Sequence, residues 1–376
     1  MKKEVSRLEL KGPARSGGNR KAKEENMRGV VFPGDRVVAY LEVPDPTPGP
    51  LDVVVEMRAS GMCGSDLQNY RRPLDQPAYM PSLIGRSPIA GHEPAGIVCA
   101  VGSAVPARQA QLGQRVMVHH YQGCTNCNHC RSGWQQLCQN AKPMVNVYGN
   151  NDDGGHAPYL KVPANTLVPL PDELSFEAGA AISCGTGTAY QALVRLNVSA
   201  RDTIAIFGQG PVGLSATQLA HAMNARVIAI DVNAERLKRA SEFGADALIN
   251  PSKDDPLQAL RELTDGIGVD CALDTSGASS ARIAAVRATK IWGVCCFVGE
   301  GGDVTINVSP DMIRRQMTII ASWTFSSIGQ AECARFMVSH NIDVDRIFTN
   351  RWSLDQAAEA YRLFDQGAGG KGVFLM

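Results

Sequence analysis

The second half of the sequence alternates strand and helix patterns, and this alternation constrains the fold more than any other feature. Apolar runs predict strands at 203–207, 227–230, 247–250, 269–273, 294–298 and 317–321. Helical patterns lie between them, at 211–223, 234–243, 256–263 and 278–289. Strands that alternate with helices are joined by right-handed crossovers into a parallel sheet with helices on both faces. We therefore expect a doubly wound α/β fold.

The turn after the first of these strands has the glycine spacing of a dinucleotide-binding loop. Gly208, Gly210 and Gly213 form a G-x-G-x-x-G pattern between a strand and a helix. The first permits a tight turn, the second lets the backbone approach a pyrophosphate, and the third allows close packing of the helix on the strand. Phosphate oxygens would meet free N–H groups at the helix N-terminus. The spacing alone is weak evidence, but its context between a strand and a helix indicates dinucleotide binding.

The end of the next strand favours NAD over NADP. Asp231 stands 23 residues after Gly208 (231 − 208), where a carboxylate can accept hydrogen bonds from both adenosine-ribose hydroxyls. The same charge would repel a 2′-phosphate, and no Arg follows it immediately. The alternative is that Asp231 is a solvated cap of the helix that begins at Ala234.

A short segment of the first half has the composition of a metal-binding lobe. Its four cysteines, within about residues 123–139, are Cys124, Cys127, Cys130 and Cys138. Four thiolates this close in a turn-rich loop match a closed tetrahedral zinc site, which folds a lobe that has no core of its own. An iron–sulfur cluster and paired disulfides are the alternatives. A closed shell leaves no position for substrate, so the predicted role is structural.

Composition and charge exclude several classes of protein. The chain has 376 residues, of which 44% are hydrophobic and 20% are charged, so it can bury the cores of two ordinary domains. Lys+Arg and Asp+Glu both number 37, so no overall charge attracts nucleic acid or an anionic membrane. No apolar run is long enough to cross a bilayer. We expect a cytoplasmic protein without nucleic-acid or membrane partners.

The remaining candidates for chemistry are dispersed along the chain. They are Cys63 in Gly-Met-Cys-Gly-Ser-Asp, His92 and Glu93 in Gly-His-Glu-Pro, and Cys184 in Ser-Cys-Gly-Thr-Gly-Thr. Singly, each cysteine is more often a small buried hydrophobic residue, and His92 a hydrogen-bonded turn residue. The other cysteines, at 99, 271, 295, 296 and 333, are interpreted as packing residues.

Together, the cysteine lobe, Gly-His-Glu and the glycine loop in this order resemble the zinc-dependent medium-chain alcohol dehydrogenases, from about 27 to 376. The resemblance implies a GroES-like, β-rich catalytic domain at 27–186 and a Rossmann NAD-binding domain at 187–321. Residues 322–376 would complete the catalytic domain. Residues 1–26 carry eight Lys/Arg against four Asp/Glu and no apolar periodicity, and we expect them to be a disordered extension. Family members are homodimers or homotetramers, and the sequence does not choose between them.

The resemblance also implies roles for individual residues around two zinc ions per chain, one catalytic and one structural. The ligands of the catalytic zinc would be Cys63, His92 and Cys184. Glu93 would be the inner-sphere glutamate, Asp66 would fix the ring of His92, and Ser65 would be the first acceptor of the alcohol proton.

The coenzyme contacts that the resemblance implies involve both halves of the chain. The nicotinamide would lie against Thr188 and Val212, and the ribose near Asp231 and Arg236. Lys371 falls where the family often has a cation that binds pyrophosphate.

The resemblance implies hydride transfer from a primary or secondary alcohol to NAD, giving an aldehyde or ketone, and the reverse reaction. A polyol or threonine dehydrogenase of the same superfamily is the alternative; Cys184 argues against the polyol branch, whose third ligand is commonly acidic. A zinc-ribbon nucleic-acid-binding protein and a non-catalytic NAD sensor are more remote.

The sequence departs from the liver-type pattern at two positions. Gly64 replaces a basic residue and Gln68 a histidine of the proton relay, which leaves the exit path beyond Ser65 open. His119, His120 and His156 are conceivable substitutes, but each fits a structural or surface role better. The alcohol, its stereochemistry and the favoured direction are not determined by the sequence.

Overall fold

A computed structural model describes residues 26–367 and 370–376. The expected disordered extension lies outside the described residues except for Asn26, which is the first residue of a strand. The described strands are β1 (Asn26–Gly34), β2 (Val37–Pro44), β3 (Asp52–Gly61), β4 (Pro94–Val101), β5 (Arg115–Val118), β6 (Tyr121–Gln122), β7 (Asn146–Val147), β8 (Tyr159–Pro163), β9 (Leu167–Pro169), β10 (Thr203–Phe207), β11 (Arg226–Ile230), β12 (Ala247–Ile249), β13 (Val269–Asp274), β14 (Thr289–Phe297), β15 (Thr318–Ala321), β16 (Phe348–Trp352) and β17 (Lys371–Leu375).

The described α-helices are α1 (Asp66–Arg71), α2 (Asn128–Arg131), α3 (Phe176–Ile182), α4 (Gly185–Leu196), α5 (Pro211–Ala222), α6 (Ala234–Glu242), α7 (Pro256–Leu263), α8 (Ser279–Ala288), α9 (Val308–Asp311), α10 (Ser327–Ser339) and α11 (Ala357–Asp365).

The strand–helix alternation of the second half forms one parallel sheet, in the order β12-β11-β10-β13-β14-β15. The order changes direction between β10 and β13, and such a switch point leaves a crevice at the carboxyl ends of the strands. β14 begins at Thr289 rather than at the predicted 294. The reason is that its early residues Ile291 and Trp292 are 59% and 73% exposed and do not form a buried run.

The two ends of the chain share a second sheet. Its order is β16-β17-β3-β4-β5-β9, and β8 also pairs with β3. The last strand, β17, runs antiparallel to β3, with Val373 opposite Gly61. The predicted combination of a β-rich domain with a doubly wound parallel sheet is confirmed.

The packing role expected for the five remaining cysteines is confirmed for four and wrong for one. The buried ones are Cys271, Cys295, Cys296 and Cys333. Cys99 is exposed, because side chains alternate along β4 and its neighbour Val98 takes the inward position. Among the described residues, no helix combines the length and apolar character that a bilayer-spanning segment requires.

Candidate active site

Three separate stretches of the chain deliver metal-binding side chains to one point. Cys63 follows β3, His92 and Glu93 precede β4, and Cys184 lies at the break between α3 and α4. One potential ligand atom from each lies within 4.8 Å of all the others. The fold therefore brings together the three side chains that the resemblance proposes as catalytic zinc ligands, with Glu93 beside them.

The donor set of this cluster suits zinc. A tetrahedron with metal–sulfur bonds of about 2.3 Å has edges of about 3.8 Å, and the sulfur atoms of Cys63 and Cys184 are 3.9 Å apart. The hydrogen bond between them lowers the pKa of the Cys63 thiol well below its usual range and raises that of Cys184. Cys184 is the N-cap residue of α4, and the partial positive charge of the helix N-terminus opposes this rise and favours a thiolate.

His92 is oriented by a buried carboxylate. Its Nδ1 lies 2.9 Å from Oδ1 of Asp66, and Oδ2 of Asp66 accepts a hydrogen bond from the backbone N–H of Cys63 at 2.9 Å. Burial alone would lower the pKa of His92, but the charges of Asp66 and Cys63 outweigh it and raise the pKa well above its ordinary value. A proton held on Nδ1 leaves Nε2 free to bind a metal. Ser65 is next to this atom, with its Oγ at 3.2 Å.

Glu93 forms a buried ion pair with Lys371. The Lys371 ammonium lies 2.6 and 2.7 Å from the two carboxylate oxygens and donates to the carbonyl of Met62 at 3.0 Å. Burial raises the pKa of Glu93 to about 8 against the opposing charge of Lys371. The contacts of Lys371 are thus with the metal cluster, and its expected role at the pyrophosphate stays a prediction.

The four cysteines of the lobe also converge. One potential ligand atom of each lies within 4.8 Å of the others, and two sulfur pairs, Cys124–Cys130 and Cys127–Cys138, are 4.0 and 3.9 Å apart. These separations are near the tetrahedral edge expected for zinc. Backbone N–H groups of Asn126 and Cys127 lower the pKa of Cys124 to about 6. Four converging sulfur atoms in a short loop, one of them a thiolate stabilised by backbone donors, fit the predicted structural site.

The glycine loop has the geometry that a pyrophosphate requires. Gly208 has a φ of +91°, and a Cβ on Gly213 would lie 1.8 Å from the carbonyl oxygen of Gly208, so neither position accepts a side chain. A Cβ on Gly210 would meet no atom within 4 Å, which leaves room for a ligand. No side chain caps α5, so its first N–H groups are available to phosphate oxygens.

Asp231 lies beside this loop at the end of β11. Its carboxylate accepts hydrogen bonds from the backbone N–H groups of Gln209 at 2.6 Å and Asn233 at 2.8 Å. Arg236 approaches it to 3.8 Å. Each oxygen keeps a further lone pair, so the carboxylate can still accept ribose hydroxyls.

The glycine loop and the metal cluster adjoin each other. A Cβ on Gly185 would lie 3.7 Å from Cγ2 of Val212, so the start of α5 lies against the start of α4, next to Cys184. Thr188 is buried one turn further along α4. Val212, which is expected beside the nicotinamide, therefore lies next to the start of the helix that carries Thr188.

A buried hydrogen-bonded chain behind His92 had no clear signal in the sequence. The hydroxyl of Tyr361 donates to Oδ2 of Asp66 at 3.0 Å and lies 2.7 Å from Nε2 of His156. His156 Nδ1 in turn contacts the hydroxyl of Ser60 at 2.8 Å. His156 was a candidate for proton transfer, whereas Tyr361 stands 295 residues after Asp66 and no local pattern connects them.

The other two candidate histidines are also buried. His120 places Nδ1 3.0 Å from the carbonyl oxygen of Ser183, and its ring centroid is 5.3 Å from that of His92. Burial, reinforced by the neighbouring His92, lowers the pKa of His120 well below its ordinary value. Burial lowers the pKa of His119 to about 4. Both imidazoles are thus neutral parts of the scaffold, as their structural interpretation expects.

Comparison with known proteins agrees with this architecture. Residues 49–172 match the family described as alcohol dehydrogenase GroES-like domain, and 211–339 match the family described as zinc-binding dehydrogenase. An uncharacterized zinc-type alcohol dehydrogenase-like protein of Escherichia coli, YphC, is 38% identical over 93% of this chain and 98% of its own length. Sorbitol dehydrogenase of Bacillus subtilis is 30% identical over 89% of this chain and 93% of its own.

A solved structure shows the same fold. Alcohol dehydrogenase TADH from Thermus sp. ATN1 superimposes with a TM-score of 0.84 at 28% identity, covering 93% of this chain and 99% of the other. The similar proteins thus include alcohol and polyol dehydrogenases, and they leave the substrate class open. With a relative 38% identical over nearly its whole length, the chain belongs to the zinc-dependent medium-chain dehydrogenase family and is an oxidoreductase of the zinc alcohol or polyol dehydrogenase type.

Proposed function

We propose that this protein is an NAD-dependent zinc alcohol dehydrogenase, which oxidises a primary or secondary alcohol to an aldehyde or ketone and catalyses the reverse reaction. The position of Val212 beside Gly185, next to Cys184, carries the proposal. A dinucleotide whose pyrophosphate meets the glycine loop can direct its nicotinamide toward the metal ligands, as hydride transfer requires.

The residues around the cluster have separate roles in the proposed reaction. Zinc held by Cys63, His92 and Cys184 would supply a Lewis acid that lowers the pKa of an alcohol hydroxyl and polarises a carbonyl. Ser65 receives the alcohol proton, since its hydroxyl lies 3.2 Å from the metal-binding nitrogen of His92. Gln68 is exposed on α1 and does not titrate, so the proton continues from Ser65 to solvent water.

NAD is proposed as the coenzyme because of Asp231. The carboxylate offers acceptors to the ribose hydroxyls and repels a 2′-phosphate, so kcat/KM should favour NAD over NADP by at least about a hundredfold, or 2.7 kcal/mol. Asp231→Ser should reduce this preference to less than about tenfold, mainly through a higher KM for NAD. The measurement is the initial rate with each coenzyme.

Glu235→Ser is the matched control for the coenzyme test. Glu235 is an exposed carboxylate in the first turn of α6, close to Asp231 in sequence. Its replacement should leave the preference for NAD unchanged. A wild-type protein that prefers NADP would contradict the role of Asp231 without affecting the metal cluster.

A polyol is the second candidate substrate, and the similarity to sorbitol dehydrogenase favours it. Cys184 favours the alcohol branch. Initial rates of NADH formation with primary, secondary, aromatic and polyhydroxy alcohols, sorbitol included, distinguish the two. If no alcohol were oxidised and no carbonyl reduced, the result would contradict the proposed enzyme and favour a coenzyme sensor.

A further inference from the structure

Residues 323–325, between β15 and α10, lie close to the metal cluster, and we call them the 323–325 wall. The ring of Trp323 lies 5.8 Å from that of Tyr121, and the ring of Phe325 lies 6.2 Å from that of His120. The His120 ring is in turn 5.3 Å from the ring of His92. One aromatic layer therefore separates the wall from a proposed zinc ligand.

Tyr121 connects the middle of the wall to the cluster. Burial and the negative charge of Cys184 raise the pKa of Tyr121, and a hydrogen bond with the Thr324 side chain opposes them. The ring of Tyr121 also lies 4.2 Å from that of His120, so the residue packed against the wall belongs to the aromatic layer beside His92. A displacement of the wall would therefore reach the aromatic side chains that pack against His92.

The backbone of the wall is strained at its centre. Thr324 has a φ of +52°, in the left-handed region that β-branched residues rarely adopt. Strained residues persist only where their surroundings hold them, and they cluster at functional sites. The surroundings of Thr324 must therefore supply the restraint.

The cysteine lobe supplies that restraint. Nε2 of Gln136 donates to Oγ1 of Thr324 at 2.7 Å and to the carbonyl oxygen of Phe325 at 2.8 Å. The carbonyl oxygen of Gly133 accepts from the backbone N–H of Ser327 at 3.1 Å. Both lobe residues lie between the sulfur ligands Cys130 and Cys138, and Gln136 is only 6% exposed.

We propose that Gln136 is a positioning residue, through which the four-cysteine lobe fixes the 323–325 wall and so shapes the substrate pocket. The lobe then has a role in catalysis in addition to its own local fold. The effect on substrate binding rests on the proposed function, whereas the effect on the order of the wall does not.

Gln136→Leu tests the proposal, because it keeps the size of the side chain but removes its donors. Amide hydrogen exchange measured by mass spectrometry should become at least about tenfold faster in peptides that cover 322–328. Peptides from 124–138 and the zinc content should stay as in the wild type. Gln139→Leu, the same change at an exposed position of the lobe, should leave 322–328 unchanged.

The kinetic test of Gln136→Leu uses the alcohol that the substrate screen shows to be oxidised fastest. Gln136→Leu should raise the KM for that alcohol about tenfold, the scale of one lost hydrogen bond, with a smaller change in kcat and none in the KM for NAD. Thr324→Asn added to Gln136→Leu should recover part of the loss, since Asn tolerates the left-handed conformation better than Thr.

Two results would overturn the proposal. One is equal exchange at 322–328 in Gln136→Leu and Gln139→Leu. The other is loss of zinc from the lobe in Gln136→Leu, which would show that the residue supports the lobe and not the wall. If the wild type oxidises no alcohol, the proposed function fails, and the exchange comparison still decides the role of Gln136.

Discussion

The two candidate metal sites of this protein are built in opposite ways. The catalytic cluster collects Cys63, His92 and Cys184 from distant parts of the chain, beside the fully buried Glu93. The lobe takes all its ligands from 124–138, and backbone N–H groups stabilise the thiolate of Cys124. The first arrangement exists only because the whole domain has folded, whereas a closed shell in a short loop would need its metal in order to fold. Zinc binding would thus be a consequence of folding at one site and a requirement for folding at the other.

Removing one ligand from each site should separate these two roles most strongly. Cys184→Ala should lower turnover by at least about a thousandfold, because the Lewis acid is lost or displaced. Its thermal midpoint should change little, since α3 and α4 are held by their own packing. Circular dichroism, calorimetry and NADH formation are the measurements.

Cys130→Ala is the matched change in the lobe. It should lower the soluble yield and the thermal midpoint, because the closed shell contributes folding free energy directly. An active Cys184→Ala variant would show that Cys184 is not a ligand. A normally stable Cys130→Ala variant would show that the lobe folds without its metal.

Chelation of the wild-type protein should show the same difference between the catalytic cluster and the lobe. Purified protein should contain about two zinc ions per chain, one at an open site and one in a closed shell. A chelator should remove the first together with activity, and the second only with denaturant. Zinc analysis and activity assays at successive times follow both. A starting content near one zinc would contradict one site, and simultaneous loss of both would contradict the contrast itself.

The lobe and the coenzyme loop were predictable from the sequence because each lies within one continuous segment. Strands β10, β11 and β13 are buried runs, and the glycine spacing directly encodes the turn. The catalytic ligands required a resemblance, since no local pattern shows that Cys63 and Cys184 meet. Tyr361 and Gln136 gave no signal, because their partners are reached only through tertiary packing. The pairing of Lys371 with Glu93 was missed for the same reason.

Acid should act on the scaffold of the catalytic domain through its buried imidazoles, which include His119 and His156. Burial lowers the pKa of both His119 and His156 to about 4, while in the unfolded chain each would take up a proton near pH 6.5. The unfolded state therefore binds more protons between pH 4 and 6.5, and the free energy of unfolding falls as the pH falls through this range. The slope is about 1.4 kcal/mol per pH unit for each histidine.

Urea unfolding at several pH values between 4.5 and 6.5 measures this slope. His156→Phe should remove about half of the contribution of the two histidines, whereas His340→Phe, at an exposed position, should leave the slope unchanged. Equal slopes in the two variants would mean that acid destabilises the protein elsewhere, for example by protonating the lobe thiolates, and the scaffold would not be the acid-sensitive part.

The smallest expected effect is on the rate of zinc release from the catalytic site. It tests how far the hydrogen bonds that hold the zinc ligands in place extend into the domain. Tyr361→Phe removes one hydroxyl that links Asp66 to His156. Asp66 keeps its contacts with His92 and with the backbone of Cys63, so the ring stays in place but is held less firmly. Loss of such an outer partner should speed zinc release from the catalytic site about tenfold.

Zinc transfer to a colorimetric chelator gives both release rates in one experiment, and release from the lobe should not change. Tyr70→Phe is the control, because it removes the same atom from a ring 5.7 Å away. Equal release in the two variants would mean that the support ends at Asp66. The catalytic site would then depend only on the residues in contact with its ligands, as the lobe does. The difference between a metal site that the folded domain assembles and a metal site that folds its own segment would be smaller.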